Sequence, residues 1–393
     1  MAPIRSLDAL PVQGRTVLVR VDFNVPQDQA GAITDDTRIR AALPTLRYLL
    51  EQGAKPVCMT HLGRPKGEVV EALRVAPVGK RLGELLGGPV TCLGTSVGDG
   101  AKAGIEGAPD GRVVLLENVR FHPGETKGDA ELATQYAALG DAFVIDAFGA
   151  CHRDHASVTG VARQLPSAAG LLLQREIDAF SRVLEEPQRP LVAILGGAKV
   201  SDKLKVIHSL LDTVDQILVG GGMAYTFLRA QGLSIGDSLV EDELVDLCKE
   251  ALAKAEKQGV QIVLPTDHVA ADRFAADADL VVSGPDIPSG RMGLDIGPKT
   301  QADYAARVRA AKTVVWNGPM GVFEMPAFRA GTEAVGRALG EAEGYTVVGG
   351  GDSVAAIHLL ELEGAVDHVS TGGGASLQLL EGTPLPGLEV LRG

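Results

Sequence analysis

Residues 16–24 have the sequence Thr-Val-Leu-Val-Arg-Val-Asp-Phe-Asn, a short apolar run that ends in polar side chains. Because the run is rich in β-branched residues, it predicts a strand buried on both faces of a parallel sheet. Comparable runs occur at 56–59, 112–116, 142–147, 191–195, 216–219, 260–264, 280–282, 313–316 and 346–348. Helical patterns separate them, for example at 243–258, where Asp242 caps the start and Gly259 marks the end. This alternation predicts an α/β fold with parallel sheets.

The length and the charge limit the class of protein. A chain of 393 residues is long enough for about two domains. The 37 Lys and Arg against 50 Asp and Glu give a net charge of −13. This charge repels nucleic acid and anionic membranes, so we expect neither as a partner. An anionic substrate must then be met by a local cluster of basic side chains.

The sequence carries no pattern typical of export or membrane insertion. No apolar run approaches the roughly 18 residues of a spanning helix, and the first residues contain an early acid and no apolar segment. The four cysteines, Cys58, Cys92, Cys151 and Cys248, lie far apart and form no paired zinc-binding motif. We therefore expect a cytoplasmic protein.

Basic side chains follow the predicted strands of the first half. Ligands of open α/β sheets bind outside the carboxyl ends of the strands, so the residues after each run are the candidates. These are Asp22, Asn24 and Arg38 after the first strand, His61 and Arg64 after the second, Arg120 after the third, and Arg153 after the fourth. The planar guanidinium of arginine suits bidentate binding of phosphate or carboxylate. The four arginines and His61 predict a pocket for a small, multiply charged anion.

These residues also have structural interpretations. A single arginine at a strand end commonly forms a salt bridge, and Arg20, inside its strand, is expected to form a structural ion pair. Cys151, His152 and His155 are of metal-binding types, but no fourth ligand lies nearby in the sequence. We therefore favour the anion pocket over a metal centre.

Glycine clusters follow the predicted strands of the second half. Glycine accounts for 49 of 393 residues, about 12%, whereas about 7% is ordinary for proteins. The clusters lie at 196–197, 220–222, 318, 349–351 and 372–374. Glycine lets the backbone approach a ligand closely, and a following helix presents free N–H groups, although such glycines also make tight turns. Five clusters in one half indicate a site for a nucleotide or a similar polyanion.

Charged residues lie beside two of these clusters. Lys199 and Lys203 are four residues apart, so they share a face if a helix begins at the glycine pair. Two lysines on one face suit a phosphate chain, and the alternative is a solvated lysine face. Asp352 is a candidate Mg²⁺ ligand, because Mg²⁺ in phosphoryl-transfer sites is held by one or two carboxylates and by phosphate oxygens.

The common nucleotide-binding motifs are absent from the sequence. We find no P-loop, no dinucleotide-binding glycine pattern with a suitable acidic partner, and no protein kinase motif. Residues 351–355 approach the nucleophile turn of a serine hydrolase, with Asp367 and His368 downstream, but the last glycine is missing. A hydrolase and a non-catalytic, hinged binding protein for a small acid are the alternatives.

Six long motifs resemble one enzyme family. They are Arg-Val-Asp-Phe-Asn-Val-Pro at 20–26, His-Leu-Gly-Arg-Pro at 61–65, Leu-Leu-Glu-Asn-Val-Arg-Phe at 115–121, Gly-Gly-Ala-Lys-Val-Ser-Asp-Lys at 196–203, Trp-Asn-Gly-Pro-Met-Gly-Val-Phe-Glu at 316–324 and Ser-Thr-Gly-Gly-Gly-Ala-Ser at 370–376. In this order, and over essentially the whole chain, the sequence resembles the phosphoglycerate kinases.

The resemblance implies a fold and a reaction. The fold would be α/β, with two Rossmann-like lobes that contain parallel sheets and are joined by a helix and a hinge. Residues 1–165 would bind 3-phosphoglycerate, with the tail 375–393 packed back on them, 166–187 would form the interdomain helix, and 188–374 would bind nucleotide. The protein would be a hinge-bending, cytoplasmic monomer of glycolysis and gluconeogenesis. It would move a phosphoryl group reversibly between 1,3-bisphosphoglycerate and ADP, giving 3-phosphoglycerate and ATP, with Mg²⁺ on the nucleotide.

The resemblance also assigns roles to residues. For the acid substrate it implies Asp22, Phe23, Asn24, Arg38, His61, Leu62, Gly63, Arg64, Arg120 and Arg153. For the nucleotide it implies Lys203, Gly293, Glu324 on the ribose, Gly350, Gly351, Asp352 on the metal, and Ser353. For catalysis it implies Arg38, Lys199, Lys203 and Gly373. Ser353 stands where threonine is frequent in the family, and Asp154, beside Arg153, is expected to point away from the phosphate.

Overall fold

The chain folds into two compact units. The structure, a computed structural model, describes residues 3 to 392. Unit 1 contains the described residues up to Ile177 and those from Pro384 onward, and unit 2 contains Asp178–Thr383. Within the described chain, no helix is both long enough and apolar enough to cross a membrane.

Unit 1 is built on one six-stranded parallel sheet. In chain order its elements are β1 (Thr16–Val21), α1 (Thr37–Glu51), β2 (Lys55–Met59), α2 (Ala76–Leu86), β3 (Thr91–Cys92), α3 (Gly98–Glu106), β4 (Val114–Leu115), α4 (Ala130–Ala137), β5 (Ala142–Asp146), β6 (Ser167–Ala169) and the first part of α5 (Leu171–Leu184). The strand order is β3-β4-β2-β1-β5-β6. Strand β1 lies between β2 and β5, with Val19 opposite Cys58 and Val144. The carboxyl ends of these three strands therefore meet at one edge.

The core of unit 1 explains why β1 lies at the centre of its sheet. Its side chains from Val17 to Val21 are almost completely buried, including Arg20, which is 1% exposed. Apolar side chains of α1, such as Ile39 and Leu46, pack in the same core. A strand buried on both faces requires a nearly continuous apolar run, which is the pattern that residues 16–21 have.

Unit 2 contains a parallel sheet and a smaller antiparallel sheet. Its elements are β7 (Leu191–Leu195), α6 (Leu204–Leu210), β8 (Gln216–Val219), α7 (Met223–Ala230), α8 (Val245–Gln258), β9 (Gln261–Val263), β10 (His268–Ala271), β11 (Leu280–Ser283), β12 (Met292–Ile296), α9 (Pro298–Ala310), β13 (Thr313–Asn317), α10 (Ala330–Glu341), β14 (Tyr345–Val348), α11 (Gly351–Leu359), β15 (His368–Val369) and α12 (Gly374–Leu380). The parallel sheet has the order β15-β14-β13-β7-β8-β9, and the antiparallel sheet has the order β11-β10-β12. Both sheets lie in the half that carries the glycine clusters.

The end of the described chain belongs to unit 1. A short helix, α13 (Pro386–Glu389), follows Pro384, and Gly387 N donates to the carbonyl oxygen of Cys151 at 2.8 Å. A Cβ atom on Gly387 would lie 2.8 Å from Cys151 Cα, so only glycine allows this approach. Helix α12 instead contacts α6 within unit 2. The domain limits inferred from the sequence, 1–165 with the tail 375–393, 166–187 and 188–374, stay a prediction.

Three elements differ from the sequence-based expectations. The run at 280–282 was expected to be a buried parallel strand, but β11 is an antiparallel edge strand with Leu280 and Val282 43% and 58% exposed. The helix expected from 166 begins at Leu171, because residues 167–169 pair with β5 as β6. Helix α8 begins at Val245 after a short 3₁₀ turn. Short apolar runs do not show which neighbour a strand will pair with, which is the reason for the first difference.

The carboxyl end of β7 offers a stability test. Gly196 N donates to Asn317 O at 3.0 Å, and a Cβ atom on Gly196 would lie 2.0 Å from Pro319 O. We expect Gly196→Ala to destabilise unit 2 by about 1–3 kcal/mol, because backbone must move to admit the methyl group. Urea unfolding followed by fluorescence of the single tryptophan, the fully buried Trp316, reports on this unit.

The matched control for this test is Gly364→Ala. Position 364 lies in unit 2, and a Cβ atom there would meet nothing within 4 Å. We expect its unfolding midpoint to stay close to that of the unchanged protein. Equal midpoints for the two variants would contradict the close packing inferred at Gly196.

Candidate functional site

In unit 1, the ends of β1 and β2 are tied together by side chains predicted for the anion pocket. Arg38 Nη1 lies 2.8 Å from Asp22 Oδ2. Asn24 Oδ1 accepts a hydrogen bond from Gly63 N at 2.8 Å. Arg38 is in the first turn of α1, where the helix dipole disfavours a cation, so its position does not serve helix stability.

The segment after β2 offers backbone groups rather than apolar side chains. Gly63 has a φ of +63°, and a Cβ atom there would lie 2.7 Å from the Leu73 side chain. Its carbonyl oxygen accepts from Arg120 Nη1 at 2.8 Å. Phe23 and Leu62 are buried at 0% and 2% exposure, so their side chains belong to the core. Any ligand contact they make must come from the backbone.

Five guanidinium groups in unit 1 influence one another, and we call Arg20, Arg38, Arg64, Arg120 and Arg153 the basic cluster. Burial, with repulsion from Arg153 and Arg20, lowers the pKa of Arg120 to about 10. Burial lowers the pKa of Arg153 as well, and its arginine neighbours add to the effect. Partly buried cations that repel one another favour binding of an anion, because the negative charge offsets their repulsion.

Several buried polar atoms beside the basic cluster lack a hydrogen-bond partner among the described residues. Arg120 Nε, His152 Nδ1 and His155 Nδ1 are buried, and none of them has a hydrogen-bond partner within residues 3–392. Arg153 Nε does have a partner, His152 Nε2 at 3.0 Å. Arg64 is exposed, which leaves its guanidinium accessible. Unpaired buried polar groups are rare in folded proteins and commonly mark places where a ligand or water binds.

A buried network behind the cluster fixes His61. Arg20 Nη2 lies 3.1 Å from His61 Nδ1, and Arg20 Nε donates to Ser157 Oγ at 2.9 Å. Because guanidinium only donates, His61 Nδ1 must accept, and the ring proton is on Nε2. Burial and then the charges of the basic cluster hold the pKa of His61 well below its usual value. His61 is therefore a neutral hydrogen-bond donor.

Glu125 completes the network behind His61. Ser157 Oγ donates to Glu125 Oε1 at 2.5 Å, and Ser157 N donates to Glu125 Oε2 at 3.0 Å. Arg20 thus reaches a carboxylate through Ser157, whereas a direct structural ion pair was expected. Sequence reasoning missed Glu125 and Ser157, since neither lies at a strand end.

Asp154 and Cys151, which lie near Arg153, contact other parts of unit 1. Asp154 Oδ1 lies 3.0 Å from Arg163 Nη2 and accepts from Thr159, so its carboxylate is engaged outside the basic cluster. In the described part of the chain, no group of three His, Cys, Asp or Glu residues has metal-binding geometry. Cys151 is buried and its Sγ contacts the carbonyl oxygen of Ala147.

In unit 2, one lysine lies among the glycine-rich strand ends. Lys203 Nζ donates to Asn317 Oδ1. Burial lowers the pKa of Lys203, and the carboxylates of Asp202 and Asp352 oppose this shift. Lys199 is exposed in the turn before α6, which begins only at Leu204, so the condition for a shared helical face is not met. The structure groups Lys203 with Asp352 but leaves Lys199 in solvent.

The segment after β14 supplies the backbone part of this site. Gly350 has a φ of +92°, and a Cβ atom there would lie 2.8 Å from Asn317 Nδ2. Helix α11 begins at Gly351, so its first N–H groups face outward at its start. Ser353 is fully buried and its Oγ accepts from Gly318 N at 2.5 Å. A buried serine inside a helix cannot be the exposed nucleophile of a hydrolase, and this alternative is wrong.

Asn317 is a candidate that sequence reasoning named only as part of a glycine cluster. It is 2% exposed, and its Nδ2 has no hydrogen-bond partner among the described residues. Its Oδ1 accepts from Lys203, so it orients that ammonium group. The available signal was its place at the end of β13, between an apolar run and a Gly-Pro pair.

The remaining predicted residues of unit 2 lie on three further elements. Gly293 is buried in β12, its N donates to Ser238 Oγ at 2.9 Å, and a Cβ atom would lie 2.3 Å from Tyr225 Oη. Glu324 is exposed, and Arg329 Nη2 donates to its backbone carbonyl at 3.4 Å. Gly373 has a φ of +52° before α12, and a Cβ atom there would meet open space.

The carboxylates near Lys203 determine which kind of metal binding this part of unit 2 can support. Asp352 is an exposed carboxylate, and no cluster of three metal-binding acids, histidines or cysteines occurs between residues 3 and 392. Mg²⁺ keeps several water or phosphate ligands and needs only one or two carboxylates in phosphoryl-transfer sites. Asp352 therefore fits Mg²⁺ that arrives with a nucleotide and does not fit a permanently bound ion.

Together these features are typical of one class of protein, the α/β enzymes that act on phosphorylated anions. Residues 7–383 match the sequence profile of the family described as phosphoglycerate kinase. The chain belongs to the phosphoglycerate kinase family. A relative from Moorella thermoacetica is 54% identical over 387 residues, covering 98% of each chain. One from Synechococcus elongatus is 53% identical, covering 99% of this chain and 98% of the other.

Solved structures give the same assignment of fold. The phosphoglycerate kinase from Coxiella burnetii has a TM-score of 0.90 and 43% identity, with 99% of each chain covered. The enzyme from Pyrococcus horikoshii has a TM-score of 0.85 and 32% identity, covering 99% of this chain and 98% of that one. The α/β fold with two parallel sheets, inferred from the sequence, is confirmed.

The protonation state of His61 can be measured directly. We expect nitrogen-15 NMR of the ligand-free protein to show a neutral ring with its proton on Nε2 between about pH 8 and pH 6. The reason is that Arg20 occupies Nδ1 and the basic cluster opposes a further charge. A His61→Gln variant identifies the resonance by its loss. A ring that is cationic at pH 6, or protonated on Nδ1, would contradict this network.

Proposed function

We propose that this phosphoglycerate kinase transfers a phosphoryl group between ADP and the carboxyl group of 3-phosphoglycerate, through the residues described above. In one direction 1,3-bisphosphoglycerate and ADP give 3-phosphoglycerate and ATP. The observation that carries the proposal is the basic cluster of unit 1, in which burial and the charges of neighbouring arginines lower the pKa values of Arg120 and Arg153. A triply charged glycerate phosphate would remove this repulsion.

The acid substrate is proposed to bind in unit 1. Arg38, Arg64, Arg120 and Arg153 supply charge, and the unpaired Arg120 Nε supplies a buried donor. His61 Nε2–H adds a neutral donor. Asp22 and Asn24 act mainly by position, because Asp22 holds Arg38 and Asn24 holds Gly63 N. Phe23, Leu62 and Gly63 shape the backbone between these side chains.

The nucleotide is proposed to bind in unit 2. Lys203, oriented by Asn317, neutralises phosphate oxygens, and the N-terminal N–H groups of α11 at Gly350 and Gly351 donate to them. Ser353 holds Gly318 in place rather than contacting the phosphates through an exposed hydroxyl. Asp352 would hold nucleotide-bound Mg²⁺, which neutralises charge on the phosphate oxygens. Glu324 is assigned to the ribose, Gly293 to the nucleotide, and Lys199 and Gly373 to catalysis.

The reaction needs little covalent help from the protein. When ATP is the donor, a carboxylate oxygen of 3-phosphoglycerate attacks the γ-phosphorus, the new O–P bond forms, and the bond to the β-phosphate oxygen breaks. The attacking carboxylate is already ionised, so no general base is required. This agrees with a neutral His61 whose Nδ1 is occupied by Arg20. Positioning and charge neutralisation, with Arg38 stabilising the phosphoryl group in flight, account for catalysis.

Transfer also requires the two substrates to meet. The reacting oxygens must approach to about 3 Å, and each proposed substrate is held by a different unit. We propose that both substrates together drive a hinge-bending closure that excludes water, since water would otherwise accept the phosphoryl group. The proposed protein is a monomer that works in the cytoplasm. It does not bind nucleic acid, because its net charge of −13 repels the phosphate backbone.

The direct test is formation of ATP from ADP and 1,3-bisphosphoglycerate, with and without Mg²⁺. We expect ATP to form only with the metal. Binding of 3-phosphoglycerate without any ATP formation would instead support the non-catalytic binding protein. Equal rates with and without Mg²⁺ would contradict the role of Asp352.

Arg38→Ala tests the catalytic assignment. We expect kcat to fall by roughly 10³-fold or more, the scale for loss of a transition-state arginine, while affinity for 3-phosphoglycerate changes much less. The control is Arg40→Ala on the same helix, because Arg40 is bonded to Asp36 at 2.7 Å and lies outside the basic cluster. Steady-state kinetics on both variants decide the matter. Loss of affinity for 3-phosphoglycerate with an unchanged kcat would show that Arg38 binds the substrate and does not stabilise the transition state.

Small-angle scattering tests the closure. A ligand shifts a conformational equilibrium only by its differential affinity for the two states, so either substrate alone should shift it partly. We expect the radius of gyration to fall most with 3-phosphoglycerate and a Mg-nucleotide together. An unchanged radius in the ternary complex would rule out closure as the way in which water is excluded.

A further inference from the structure

A buried acid in unit 2 lies against the segment that carries Glu324. Asp295 is in β12 and is 1% exposed. Its Oδ2 accepts from Gly331 N at 2.7 Å, and its Oδ1 accepts from Ile296 N at 2.9 Å. Gly331 is in the first turn of α10, so the carboxylate is bonded to the start of that helix.

The same carboxylate contacts both ends of the segment 321–331, which we call the Glu324 loop. A Cβ atom on Gly321 would lie 2.3 Å from Asp295 Oδ1, and one on Gly331 would lie at the same distance from the same oxygen. Both positions must therefore be glycine for the loop to close around the acid. One carboxyl group thus sets the separation of the two ends of the loop.

Other contacts make the Glu324 loop dependent on β12. Val322 N donates to Leu294 O at 2.9 Å, which joins the loop to the residue before Asp295. Inside the loop, Arg329 Nε donates to Phe323 O at 2.7 Å and Arg329 Nη2 donates to Glu324 O at 3.4 Å. Glu324 itself is exposed, so its place is fixed by these backbone contacts and not by packing of its side chain.

Strand β12 also carries Gly293, two residues before Asp295 and on the same side of the strand. Burial raises the pKa of Asp295 to about 7, so a charge at this position costs stability that an amide would not cost. An acid retained at such a cost is typical of positions that serve a site. Asp295 therefore joins the two elements that carry Gly293 and Glu324, both of which are assigned to the nucleotide.

We propose that Asp295 is a positioning residue for nucleotide binding, which holds the Glu324 loop against β12 so that Glu324 meets the ribose. This proposal rests on the proposed function, in which Glu324 binds the nucleoside. Asp295 does not touch the ligand itself. It acts through the backbone at Gly321 and Gly331, and its effect is confined to the nucleotide.

The test is the dissociation constant of ADP, measured by calorimetry on full-length Asp295→Asn in the absence of glycerate. The amide keeps the shape but replaces one acceptor with a donor that faces a backbone N–H. We expect ADP affinity to fall about tenfold, the scale for loss of one hydrogen bond to a charged group. Affinity for 3-phosphoglycerate should stay within about twofold, because that ligand binds in unit 1.

A matched control is Asp267→Asn in the same unit. Asp267 is 2% exposed and accepts from Lys299 N at 2.9 Å and from Thr300 N at 2.8 Å, so it caps α9 as Asp295 caps α10. Among residues 3–392 its carboxylate makes no hydrogen bond to the Glu324 loop, and we expect unchanged ADP affinity. Equal losses of ADP affinity in the two variants would overturn the proposal in favour of a general effect on unit 2.

A double-mutant cycle separates this inference from the proposed function. If Asp295 acts through Glu324, then Asp295→Asn should have little further effect on ADP affinity in a Glu324→Ala background. Additive effects would overturn the positioning role. If Glu324→Ala itself leaves ADP affinity unchanged, both the nucleoside assignment and this inference are wrong. If only Asp295→Asn has no effect, the inference alone is wrong.

A second variant keeps the proposal testable if Asp295→Asn does not fold. Arg329→Met removes the bonds to Phe323 O and Glu324 O from a partly exposed position. Because it loosens the same loop from inside, we expect weaker ADP binding and unchanged 3-phosphoglycerate binding. Unchanged ADP affinity in this variant would overturn the idea that the loop's backbone contacts position Glu324.

Discussion

Electrostatic repulsion among the five arginines of the basic cluster is the constraint on which unit 1 depends. Burial lowers the pKa values of His61, Arg120 and Arg153, and the charge of Arg20 adds to each of these shifts. Fixed acceptors hold three members of this group in place, namely Asp22 for Arg38, Gly63 O for Arg120 and Ser157 for Arg20. The scaffold that holds these acceptors is the buried parallel sheet, whose adjacent strand ends cannot separate without unfolding the core.

In the proposed function unit 2 also binds phosphate, but with groups of a different kind. It relies on backbone N–H groups at glycine-rich strand ends and on one half-buried lysine. Backbone donors carry no net charge and do not repel one another, so they can be packed closely without a compensating acid. Their cost is steric, because Gly196 and Gly350 must lack a Cβ atom to approach Pro319 O and Asn317. An elongated polyphosphate suits such a surface, whereas a small and highly charged acid suits a group of arginines.

The sequence predicted the parts of the site that lie at the ends of parallel strands. Asp22, Asn24, His61 and Arg120 were predicted as site residues because apolar runs mark the strands and parallel strand ends share one edge. It did not find Glu125, Ser157 or Asp295, since these act on a functional residue from another element. It also predicted that Lys199 and Lys203 share a helical face, which requires a helix that begins at the glycine pair. Helix α6 begins only at Leu204, and a glycine pair does not fix the first residue of a helix.

What the sequence by itself determined was the α/β class, the two halves of different chemistry, and through its motifs the family and its reaction. These properties depend on local pattern, since strand periodicity, glycine clusters and motif order are all written along the chain. Only the tertiary structure decided that Arg20 reaches a carboxylate through Ser157 and not in a direct ion pair. It also decided that Ser353 is buried and that β11 is an antiparallel edge strand. Such facts depend on which distant segments of the chain contact each other, and the local sequence around a residue does not show this. The tautomer of His61 is the clearest case, because it follows from an arginine 41 residues away.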